Sequence, residues 1–227
     1  MGLGRSTIDR ILAVPAPNGT IIGPSADRDD HWHGNKGPAA FGTLRLMTEI
    51  PAENYAQPWA PDTRNALPQV GDERTILTAV LDWHRRTFEL KCSGVPANRL
   101  SEKSIPPSGL SLHGLVRHLA QVERWWFRQQ FAGEKVPHLY YSDDDPNQDF
   151  DSLDGDPAEA FAVWRAECDH ARAIVARTLS LDETGICRPD GQPISLRRIL
   201  VDMISEYARH DGHADLLRER IDGATGY

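Results

Sequence analysis

Cysteine is scarce in this sequence: Cys92, Cys168 and Cys187 are the only three in 227 residues, and no two form a CxxC pair. An odd number at wide spacing argues against a disulfide framework or a thiolate metal cage, and points to a reducing cytoplasm. Positive charge is also in short supply. Lys and Arg number 25 against 33 Asp and Glu, a net charge of −8, which argues against nucleic acid or an anionic membrane surface as a partner. Long apolar runs are missing as well; none approaches the ~18 residues that a membrane-spanning helix needs, so a soluble protein is expected. What remains is a hydrophobic fraction of 40%, enough for one sizeable core, and nine histidines. Any metal would therefore be bound by imidazole and carboxylate.

The beginning of the chain reads differently from the rest. Residues 1–46 scatter Gly and Pro with little apolar periodicity, and no secretory signal is legible in them. With Met47 as a second plausible beginning, they are expected to be a disordered leader or upstream extension. Residues 47–70 carry Pro51, Pro58, Pro61 and Pro68 and read as an extended arm. From 71 to 227 the pattern is helical, and strand alternation is absent.

Four helices are expected there. The first repeats Ile76, Leu77, Val80, Leu81, His84 and Phe88 at three- and four-residue steps and stops at Gly94 and Pro96. The second starts near Ser111, carries Leu112, Leu115, Leu119, Val122, Trp125 and Trp126, and ends at Gly133. A long acidic connection follows, with Asp143, Asp144, Asp145, Asp149, Asp151 and Asp154. Asp156 as N-cap, Pro157 and Glu159 open the third helix, whose stripe is Phe161, Trp164, Cys168, Ala171, Val175 and Leu179. The fourth begins at Ser195 and runs past Leu217 to Gly223. The expected fold is all-α, a four-helix bundle. The connection between the second and third helices is long enough to run the length of that bundle, so these two are expected to lie parallel.

Two places break the apolar stripes. On the fourth helix, Glu206 and His210 occupy steps where apolar residues are due, four apart on one face, with His213 three residues beyond. On the second helix His118 sits between Leu115 and Val122, on or beside the buried stripe. A buried carboxylate without a partner costs several kcal/mol. Two imidazoles and a carboxylate would satisfy one another around a divalent cation. That set suits a catalytic zinc site with an open position and equally the facial triad of non-haem iron. The bland alternative is a set of hydrogen-bonded core histidines with Glu206 paired to Arg209 or Arg117.

These residues resemble the DinB-like superfamily of four-helix metalloproteins, best of all its subgroup related to mycothiol-dependent transferases and mycothiol-dependent maleylpyruvate isomerase. The resemblance runs through GDERTILTAVLDWHRRT, PPSGLSLHGLVRHLAQVERWWF, YYSDDDP and QPISLRRILVDMISEYARHDGHADLLRERIDGATG, from about residue 70 to 226. It implies a metal held by one His of the second helix and two ligands four apart on the last, the first of them Glu in the isomerase subgroup. Carried over, the ligands are His118, Glu206 and His210. His213 falls where many relatives have Gln and is assigned to the surroundings of the ligands or the substrate wall.

The resemblance implies transfer of mycothiol, or another low-molecular-weight thiol, to an electrophilic small molecule with zinc as the expected metal. Such a metal could instead activate water in a hydrolase of small amides or esters, or the bundle could be a stress-associated metal-binding protein without catalysis. A homodimer is left open, and no general acid or base is named. Other constellations carry less. Ser111 and His113 lack the closing glycine of a nucleophile elbow. Cys168 and His170 face different directions, and His31 and His33 lie in the leader. The Asp-rich connection lacks calcium-loop spacing and is expected to be a solvated acidic loop at the mouth of the site.

Overall fold

The structure, a computed structural model, describes residues 62, 64–185 and 191–225. All of them belong to one unit, Tyr55–Tyr227; a second, Met1–Asn54, lies outside the described residues, and with it the expected leader and most of the arm.

Local chemistry sets the helix starts. Helix α1 (Glu73–Cys92) is capped by Asp72, whose carboxylate accepts from the Thr75 amide at 2.8 Å. A single turn, α2 (Ala97–Leu100), precedes α3 (Leu112–Glu123), where the Ser111 hydroxyl accepts from the Gly114 amide at 3.0 Å. Another single turn, α4 (Gln148–Asp151), lies in the acidic connection. Helix α5 (Pro157–Arg177) begins under Asp156, which accepts from the Ala158 amide. A two-residue ladder, β1 (Thr184–Gly185) with β2 (Ile194–Ser195), is antiparallel and too short to show alternation. It delivers the chain to α6 (Leu196–Asp222), capped by Ser195 and ended by Gly223 in the left-handed region at φ 77°. At 27 residues α6 is about 40 Å long.

Every residue of α3 is buried, which makes it the central element. It packs along α5 and against α6, while α1 lies along α6. Ion pairs show the directions. Arg197 reaches Glu73 and Lys91 reaches Asp215, so α1 and α6 run parallel. Arg172 meets Asp82 and Arg165 meets Glu89, so α5 runs against α1. His118 meets Glu206 and His210 low on α6, while Gly185, at the α6 start, abuts Gln130 and Phe131, so α3 opposes α6. Helices α3 and α5 are therefore parallel, the arrangement that the length of their connection allows. Phe88, Leu112, Leu115, Leu119, Phe127, Leu196, Ile199, Leu200 and Met203 fill the centre, each worth roughly 1.5–3 kcal/mol of burial.

Three features differ from expectation. First, the second long helix changes to π-helix over Arg124–Phe131. Within it Arg124 and Arg128, four residues apart, both reach the same carboxylate, Glu167, at 2.6 and 3.0 Å. Second, α5 ends at Arg177, so Leu179 leaves the apolar stripe and is 95% exposed. Third, a Cβ on Gly185 would come within 2.3 Å of the Gln130 carbonyl, so the ladder docks on the π segment only because that residue is glycine.

Candidate metal centre

Helix periodicity puts Glu206 and His210 one turn apart on the face of α6 that looks at α3, and α3 presents His118 to them. The Glu206 Oε1 lies 3.0 Å from His118 Nε2 and 3.0 Å from His210 Nε2. One donor atom from each of the three lies within 4.8 Å of the others. All three side chains are buried, His118 at 1%, His210 at 4% and Glu206 at 8% exposure. Among the described residues the hydrogen bonds to Glu206 come from these two imidazoles alone. Arg117, one of the alternative partners, donates to the Gln148 and Ser152 carbonyls instead, and Arg209 is exposed.

The electrostatics follow from that arrangement. Burial opposes a charge on His118, but hydrogen bonds to Asp149 and Glu206 overcome it and raise its pKa to about 9. Burial likewise works against ionised Glu206, and the two imidazoles outweigh it and hold the carboxyl well below the usual carboxylate range. His210 moves the other way: burial lowers its pKa, the hydrogen bond to Glu206 only partly offsets this, and the charge on His118 lowers it further. Without a metal, then, one proton on His118 supplies the positive charge that Glu206 faces. A divalent cation is what would replace that proton.

Around this set stand further contacts. His118 Nδ1 lies 2.7 Å from Asp149 Oδ2, and the Phe150 ring stacks on the imidazole at 5.2 Å and 30°. His210 Nδ1 is 3.2 Å from Nδ1 of half-buried His213. With its pKa lowered, by burial first and by Arg209 next, His213 is neutral, and because the one proton of neutral His210 sits on Nε2 facing Glu206, His210 Nδ1 accepts from His213 Nδ1–H. His213 thus sits beside the candidate set of His118, Glu206 and His210. Asp149 and Phe150 went unrecognised. Asp149 is one of six aspartates in the connection, and nothing in that run distinguishes it. It is buried, whereas Asp143, Asp144, Asp151 and Asp154 are exposed as a solvated loop should be.

The remaining candidates resolve into structural roles. Buried His113 bonds to the Ser101 hydroxyl at 2.8 Å. Cys168 is buried against Glu123 and Tyr207 while His170 is exposed, so they form no dyad. Burial pushes both the Cys92 and Cys168 thiols far up, which makes them poor nucleophiles. Cys187, His31 and His33 lie outside the described residues. A second buried polar cluster lies nearby: Arg85 forks onto Glu123 at 2.7 Å through both Nε and Nη2, and Tyr207 donates to Glu123 while accepting from Trp164 Nε1. A cavity of about 540 Å³ between α1 and α5 has Arg85 and Arg172 in its wall and none of the three candidate ligands.

A family model described as Mycothiol-S-transferase matches residues 76–223, well over half of the chain and inclusive of His118, Glu206 and His210. No curated protein matches the chain. The chain belongs to the mycothiol-S-transferase family, a member of the DinB-like superfamily.

Proposed function

We propose that this member of the mycothiol-S-transferase family holds a divalent metal, zinc, on His118, Glu206 and His210 and transfers mycothiol, or a related thiol, to an electrophilic small molecule. The observation that carries the reading is a buried glutamate whose described hydrogen bonds come only from two imidazoles, at 3.0 Å each. The donor set fits such an ion: two imidazole nitrogens and a carboxylate oxygen, within 4.8 Å of one another, are the protein ligands of a zinc site with an open fourth position. Bound there, zinc supplies a lowered pKa to an incoming thiol, so that the thiolate exists at neutral pH.

The chain's own residues prepare that chemistry. His118 must release its proton and offer the Nε2 lone pair, and His210 is already neutral through burial. Glu206 contributes a negative charge that leaves the site with a net charge of about +1 once a divalent ion is present. The buried Cys92 and Cys168 do not compete as nucleophiles, so the sulfur comes with the substrate thiol. In the transfer, the thiol gives up its proton to solvent, its sulfur forms a C–S bond to the electrophilic carbon, the bond from that carbon to the leaving group breaks, and the leaving group departs with the electron pair of the broken bond.

The test incubates the full chain, with and without added zinc, with mycothiol and a bimane halide. Metal-dependent loss of thiol and electrophile in equal amounts is expected. Turnover of ester or amide substrates that needs the metal but consumes no thiol would overturn the transferase reading in favour of a hydrolase.

A further inference from the structure

We propose that the single turn α4, lying in the acidic connection far from the ligands in sequence, is the positioning element of this centre. Asp149 sets the tautomer of His118 and Phe150 sets its ring plane. The inference rests on the metal reading of the preceding section, and four observations carry it.

Asp149 is 5% exposed and its Oδ2 lies 2.7 Å from His118 Nδ1. Its other oxygen, Oδ1, is buried without a hydrogen-bond partner. An unsatisfied buried oxygen carries an uncompensated desolvation penalty, so folding alone gives no reason to bury an acid here when exposed Asp143, Asp144, Asp151 and Asp154 of the same connection stay in water. Phe150 stacks on the same imidazole. Gly114, four residues before His118 on α3 and so on the same face, makes room for it: a Cβ there would meet Phe150 Cδ1 at 2.9 Å. Arg117 then ties down both ends of the turn, donating to the carbonyls of Gln148 and Ser152.

Residues 114, 117 and 118 of α3 thus form a seat for α4, and α4 in turn holds His118. With Nδ1–H donating to Asp149, the Nε2 lone pair must face Glu206 and His210. The carboxylate also raises the basicity of that nitrogen. Elsewhere, removal of such a partner from a metal-ligating histidine lowers metal affinity 10–100-fold.

The test measures zinc affinity of the full chain by competition with a chromophoric chelator, and the visible spectrum of the cobalt-loaded protein. Asp149→Ala is expected to keep one metal per chain, weaken zinc binding about 10–100-fold and alter the cobalt spectrum at saturation. Asp149→Asn, which keeps an acceptor without the charge, should recover part of the affinity and also serves if the alanine variant fails to fold. Gly114→Ala should weaken binding by displacing Phe150, and Asp154→Ala, an exposed acid of the same connection, should not. Wild-type affinity and spectrum in Asp149→Ala, even with a lowered melting temperature, would reduce α4 to a structural clamp and overturn the inference. Undiminished zinc binding in His118→Ala would overturn the metal reading itself, a separate outcome.

Discussion

Two buried glutamates, Glu123 on α3 and Glu206 on α6, lie close together in the core and solve the same problem in opposite ways. Glu123 is fully buried and carries its own cation: Arg85 grips it with two hydrogen bonds at 2.7 Å, and Tyr207 adds a third. Glu206 has two imidazoles, of which only His118 is raised enough to be charged at neutral pH. One cluster is complete within the chain. The other is completed by a proton or, on the reading proposed above, by a metal ion. The difference teaches where to look for function in a core: a buried charge whose partner is a permanent cation belongs to the fold, whereas one whose partner can be exchanged is available for chemistry.

The comparison breaks most visibly if Arg85 is removed. Arg85→Ala strands Glu123 in the core and should cost about 3–5 kcal/mol of stability, the same with or without zinc. Replacing the whole pair, as Arg85→Met with Glu123→Leu, should restore most of that loss. Urea unfolding of the single and double variants checks both.

His118 has a folded pKa raised to about 9, above its unfolded value. Its contribution to the metal-free protein is therefore fully present below about pH 6.5 and lost as pH rises toward 9. In the zinc-loaded protein His118 is deprotonated, so zinc-dependent stability should instead be lost on acidification. At free zinc about 100 times its Kd the gain should be about 2.7 kcal/mol. Melting curves from pH 6 to 9, with zinc and with chelator, should slope in opposite directions; parallel slopes would show that the two glutamates are compensated alike.

The smallest effect sharpens the comparison. Tyr207→Phe removes one donor from Glu123 and the acceptor of Trp164 Nε1, while Arg85 stays in place. It should cost about 1–3 kcal/mol in urea unfolding, with zinc affinity unchanged in chelator competition.

Much of this architecture was legible from local pattern. Apolar steps of three and four marked α1, α3, α5 and α6, and Ser111, Asp156 and Ser195 marked three of their starts, because caps and amphipathic stripes act within a turn or two. The long acidic connection already implied that α3 and α5 run parallel. Glu206 and His210 were visible as polar interruptions four apart in an apolar stripe and His118 as another on the second helix, and the family resemblance grouped the three as candidate ligands. The π segment at Arg124–Phe131 was not visible, since the apolar pattern of the second helix runs on through Trp125 and Trp126 into it without a break. Leu179 continued the α5 stripe on paper, but the helix ends two residues earlier.

By itself, then, the sequence determined the helices, their order and the residues too polar for their buried faces, since each of these depends on neighbours within a few positions. Only the tertiary structure decided which charge each buried carboxylate meets. Arg85 and Glu123 are 38 residues apart, and Asp149 and His118 are 31 apart. Among so many arginines and aspartates, nothing but the packing of α1, α3, α4 and α6 selects those pairs.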